Sequence, residues 1–164
     1  MKIFLQVLIM LSSGFFQSTD VSEVRAFYRE AAEKEEAAEM LMDSTKDFTE
    51  KQPVLFGYKG AAHMLMAKYV GNPFSKMSHF NKGKKIFTAA IEEDGGNIEL
   101  RFLRYAVQSE APGFLGYRDN LKEDKALILA QLNDLEDADL HRMISRYMLA
   151  SESLSEAEKQ RIRN

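Results

Sequence analysis

Cysteine is absent from the chain. That gap removes disulfides, thiolate metal sites and thiol nucleophiles together. It also removes the lipid-attachment cysteine of a bacterial lipoprotein. No GxSxG nucleophile elbow occurs, so serines such as Ser75, Ser78 and Ser109 have no base visible in the sequence. Gly57-x-x-Gly60 and Gly113-x-x-Gly116 lack the lysine and flanking glycines of a phosphate-cradling loop. The three histidines, His63, His79 and His141, form neither an HExxH motif nor an i,i+4 pair. Adjacent carboxylates (Glu35/Glu36, Glu92/Glu93 and the near pair Asp137/Asp139) lie in polar faces or turns and read as solvated surface. These exclusions favour a binding module over an enzyme, with no catalytic residue, cofactor or metal expected.

Long apolar runs are also scarce. Nothing after residue 18 approaches the roughly 20 apolar residues that a membrane-spanning helix needs. The one apolar run is N-terminal. Lys2 precedes Ile3 to Leu11, which is broken only by Gln6, and the small residues Ser12, Ser13 and Gly14 follow. That is the layout of a secretory signal peptide. Cleavage after Gly14 puts Ser12 and Gly14 at the small-residue sites, whereas cleavage after Ser18 would put Phe16 at one of them. The export segment is bounded at residues 1–18. The expected product is an exported protein, periplasmic or secreted, without a transmembrane anchor.

What remains, residues 19–164, has the size of one domain. Of the whole chain, 45% of residues are hydrophobic and 29% charged, which suits a packed core. Charge is distributed in blocks. Residues 19–52 carry ten acids and five bases, and residues 92–164 carry fifteen acids and ten bases. Between them, residues 53–91 carry six lysines and no acid. Exported, acidic overall and without aromatic–basic interleaving, the chain does not read as a nucleic-acid binder.

The apolar residues recur at helical spacing almost throughout, and no alternating strand stands out. A first helix is predicted from a cap at Asp20 through Val21, Val24, Phe27, Tyr28, Ala31, Ala38, Leu41 and Met42. Pro53 opens a second, ending before Gly71-Asn72-Pro73. The third spans about Ser75 to Glu93, with Met77, Phe80, Gly83, Phe87, Ala90 and Ile91 on one face. The fourth, Ile98 to Glu110, is apolar around most of its circumference and is expected at the centre of the fold. Further helices are predicted over about Leu121–Asn133 and Ala138–Ala150, with a short terminal one capped by Ser155 and Glu158. The predicted fold class is all-α, an antiparallel stack of about six or seven helices.

Within this pattern the third helix resembles the second helix of a tetratricopeptide repeat. The matching residues are Gly83, Phe87, Ala90, Ile91, the Asp94-Gly95-Gly96 turn and Asn97. The small residues let a paired helix approach, and the aromatic fills the gap between the helices. The resemblance covers about residues 80–97 and implies a right-handed, tetratricopeptide-like helical array. The preceding helix departs from the pattern, with Ala67, Val70, Gly71 and Phe74 at the signature offsets.

Two groups of residues are candidate binding sites. Arg101 and Arg104 share one side of an otherwise apolar helix, with Tyr105 and Gln108 beside them. On a groove they would grip a carboxylate; otherwise they pair with acids of adjacent helices and set the packing register. The second group is the lysine-rich helix, with Lys76, Lys82, Lys84 and Lys85, of which Lys82 and Lys85 point away from the apolar face. It suits an acidic protein or an anionic surface, or serves as a solvated face. His63, Met64, Met66, Met77 and His79 are soft-metal ligand types, read here as helix filler and boundary residues. The expected role is an exported scaffold for protein–protein or peptide binding. The alternative is a small-ligand or anionic-surface binder using Arg101/Arg104 or the Lys76–Lys85 face.

Overall fold

The computed structural model describes residues 20–163; the expected export segment, residues 1–18, lies outside them. The described residues form eight α-helices and no strand, so the chain is all-α. They are α1 (Val21–Ala31), α2 (Glu35–Thr45), α3 (Pro53–Tyr69), α4 (Pro73–Glu93), α5 (Ile98–Glu110), α6 (Leu121–Gln131), α7 (Ala138–Ala150) and α8 (Glu156–Arg163). Single 3₁₀ turns at Gly113–Leu115 and Leu132–Asp134 flank α6. None of these helices is long and apolar enough to cross a membrane.

Most boundaries follow from local chemistry. The side chains of Asp20, Asn72, Asn97 and Asp137 accept backbone N–H bonds at the starts of α1, α4, α5 and α7. Proline occupies the first turn of α3 and of α4, where its missing N–H costs nothing. Ser155 and Glu158 exchange bonds at the start of α8, as their spacing predicts. Gly116, at φ +57°, closes the first 3₁₀ turn in the left-handed region that glycine tolerates.

The first predicted helix is a correction, because the structure divides it into α1 and α2. Lys34 takes an extended conformation and the chain doubles back. Neither glycine nor proline marks the break. Instead α3 satisfies the carbonyls released there: Tyr69 donates its hydroxyl to Ala31 O at 2.8 Å, and the Lys68 ammonium donates to Ala32 O. The break raises the helix number from the predicted six or seven to eight.

Helix α5 is central, as its apolar circumference predicts. Nine of its thirteen residues are buried, including Leu100, Phe102, Leu103 and Tyr105. Tyr147 of α7 meets Phe102 and Tyr105 edge-on, with ring centroids 5.5 and 6.3 Å away. Phe87, Phe102 and Leu103 share the dry interior; Phe80, expected on the same apolar face as Phe87, is half-buried against Tyr117 instead.

Helices α3 and α4 form the tightest pair. Their antiparallel course brings Gly60 against Gly83 and His63 against His79. A Cβ on Gly83 would stand 2.8 Å from the Gly60 carbonyl oxygen, closer than carbon and oxygen can sit. Backbone cannot rotate aside as a side chain can, so the two helices would have to part. Gly83→Val is therefore expected to destabilise the protein by about 1–3 kcal/mol through overpacking. The valine recovers only part of the roughly 1 kcal/mol that glycine costs a helix. Thermal unfolding checks this, with Gly96→Ala as the neutral control because nothing lies within 4 Å of Gly96.

Candidate functional site

The arginine pair lies where α5 packs on α6. Arg104 donates to both carboxylate oxygens of Asp124, at 2.7 Å from Nε and 2.6 Å from Nη2. Arg101 reaches the same carboxylate at 2.8 Å, and also bonds Glu123 at 2.5 Å and the Gly95 carbonyl at 2.7 Å. Asp124 is fully buried, so one carboxylate fastens two guanidinium groups inside the protein. Of the two roles the sequence leaves open for these arginines, the one they fill here is pairing with acids of a neighbouring helix.

Gln108 takes part in the same seam. Its amide donates to Asn120 Oδ1 and accepts from Asn120 N, both at 3.2 Å, at the start of α6. Tyr105 turns the other way. Its hydroxyl bonds the Ser153 hydroxyl, and its ring lines a cleft of about 580 Å³ between α5, α6, α7 and the turn before α8. Ser109, Glu110, Lys122, Lys125 and Tyr147 complete much of that wall. Neither Arg101 nor Arg104 lines the cleft, so the four residues grouped by sequence are divided between a buried seam and an open hollow.

Compared with known proteins, the chain matches no family model, no curated protein and no solved structure. The functional reading therefore rests on the surface itself.

On that surface α4 stands out. Phe74, Ser78, Asn81 and Lys85 follow one another at helical spacing on an exposed stripe, with Met77 and Lys82 at its edges. Phe74 is 87% exposed and Met77 is exposed too. Phe114, also 87% exposed, projects from the 3₁₀ turn just before Tyr117, and Tyr117 packs edge-on against Phe80 of α4. Lys84 lies over the Tyr117 ring at 5.4 Å, and Lys76 donates to the Lys68 carbonyl. Among the described residues no carboxylate pairs with Lys82 or Lys85. Phe74 and Met77 are thus large apolar side chains left in water on the same helix as the unneutralised Lys82 and Lys85.

A second ion network joins α1 to the body. Arg25 makes a bidentate bond to Glu99 at 2.7 and 2.8 Å and bonds Asp137 at 2.8 Å. Tyr58 donates to Glu99 at 2.6 Å. The Glu99 carboxylate holds the Arg25 proton more firmly than usual, and burial followed by the Glu99 charge pushes the Tyr58 hydroxyl well above the ordinary tyrosine range. Every charge here is answered by a neighbour, so the cluster fastens α1 to the body. No sequence motif marks it; Arg25 and Glu99 lie 74 residues apart.

Proposed function

We propose that the chain is an exported helical interaction module that docks an acidic protein partner on the outer face of α4, without a chemical step. The observation that carries this reading is their place on one helix: Lys82 and Lys85 without carboxylate partners, about one to three turns along from the exposed Phe74 and Met77. Protein interfaces commonly combine such apolar anchors with flanking charges that steer the encounter and set orientation. The block of residues 53–91, which holds six lysines and no acid, gives this hairpin a positive field between two acidic segments. The tetratricopeptide-like arrangement belongs to the same reading. It is supported by the Gly60–Gly83 approach and by the full burial of Phe87 and Ala90 behind it.

The test is crosslinking in the cell envelope from a photoreactive residue at Thr88, an exposed position on α4, followed by mass spectrometry. The wild type is expected to give one dominant acidic partner. The double variant Lys82→Glu/Lys85→Glu is expected to lose at least about tenfold of that partner's affinity by charge repulsion, with the fold intact. Equal capture by the double variant would overturn the proposal. So would binding of the purified protein to anionic vesicles in place of a protein partner.

A further inference from the structure

The α3–α4 seam brings together two histidines that lie sixteen residues apart in the chain. His63 Nδ1 and His79 Nδ1 face each other at 3.1 Å, with ring centres 5.2 Å apart and planes tilted by 48°. The two nitrogens thus lie between the rings and are aimed at each other. In the metal-free protein a single proton bridges them, carried by one ring and accepted by the other. Both rings are partly buried, and Met64 lies against Gly83, one turn beyond His79.

We propose that His63 and His79 form a two-coordinate site for a soft monovalent cation of the Cu(I) or Ag(I) class. Three observations select that class. First, the donors point at one another. Two metal–nitrogen bonds of about 2.1 Å in a line need a separation of roughly 4.2 Å, which the rings reach by parting about 1 Å. Second, no further hard ligand joins them: among the described residues no group of three or more His, Asp or Glu side chains is placed to hold a metal. Octahedral or tetrahedral divalent ions, which need such ligands, are poorly served. Third, the charged groups acting on the pair are the cations Lys59 and Lys82, which repel a divalent ion about twice as strongly as a monovalent one.

The proton balance is simple. Burial first, then the neighbouring His79 and the two lysines, holds His63 down to about 4, and burial with Lys82 lowers His79. Both rings are therefore neutral at pH 7. Coordination requires that the ring protonated at Nδ1 move its proton to Nε2. Both imidazoles remain neutral and no proton is released.

The experiment titrates the purified protein with silver nitrate in chloride-free buffer, read by calorimetry and by the imidazole nitrogen resonances. Zinc(II) is titrated in parallel. The site should bind one Ag(I) and shift the Nδ1 signals of His63 and His79 while leaving those of His141 in place. His63→Gln and His79→Gln, at partly exposed positions, should each weaken binding at least about tenfold, since even outer-shell changes cost metal sites that much. Lys82→Gln should tighten it. The proposal is overturned by equal Ag(I) affinity in the double histidine variant, by zinc binding as tight as silver, by weaker binding in Lys82→Gln, or by no binding.

Discussion

Replacing Asp124 by alanine is expected to cost about 3–5 kcal/mol of stability, the range seen when one partner of a buried ion pair is removed. The size follows from the geometry. Asp124 is fully buried and accepts from both Arg101 and Arg104. Without it Arg104 keeps its charge with no carboxylate paired to it, and Arg101 keeps the exposed Glu123 and the Gly95 carbonyl. A guanidinium cannot escape by losing its proton. Urea unfolding should show a lower midpoint at unchanged slope, the signature of lost stability alone. Glu123→Ala serves as the comparison. Its pairing with Arg101 is largely solvent-exposed, so its loss should cost no more than about 1 kcal/mol.

Glu99→Ala is the second large effect, also about 3–5 kcal/mol, and it has a second arm that separates charge from packing. Glu99 answers the Arg25 guanidinium twice and the Tyr58 hydroxyl once. Truncation strands both, leaving Arg25 only the half-exposed Asp137. The double variant Arg25→Met/Glu99→Leu removes charge from both sides at similar volume. Such exchanges are often neutral or stabilising, so the double variant should be more stable than Glu99→Ala. A double variant as unstable as the single one would show that the loss is packing around α1, not stranded charge. Chemical denaturation of the three proteins decides between the two.

How much of this was legible in the sequence depends on the range of the signal. Helices opened by Asn97, Pro53 or the Ser155–Glu158 box are readable, because cap and helix lie within four residues of each other. The central place of α5 was readable from its near-continuous apolar circumference. The division between α1 and α2 was not. The helical period of Ala31, Ala38 and Leu41 runs across it, and the groups that stabilise the break, Lys68 and Tyr69, belong to another helix. The arginine pair was visible as a pair, but its partner Asp124 is twenty residues beyond Arg104 and carries no motif. His63 and His79 are legible in the sequence as ligand types among neighbouring methionines, but the same residues read equally as helix filler and boundary positions. Their meeting depends on the antiparallel register of α3 and α4, which is set by the contact between Gly60 and Gly83. Phe80 failed in the opposite sense. Its period places it with Phe87, but it is only half-buried and packs edge-on against Tyr117.

The fastening of α1 has a consequence for synthesis. Arg25 leaves the ribosome 74 residues ahead of Glu99 and 112 ahead of Asp137. At ordinary elongation rates the first helix waits on the order of 5–20 s for its carboxylates to emerge. During that interval α1 already has α2 and α3 to pack on, and only its guanidinium waits for its partners from α5 and the start of α7. The ion pairs that fasten the N-terminal helix are thus a late addition, completed only once Asp137 at the start of α7 has emerged.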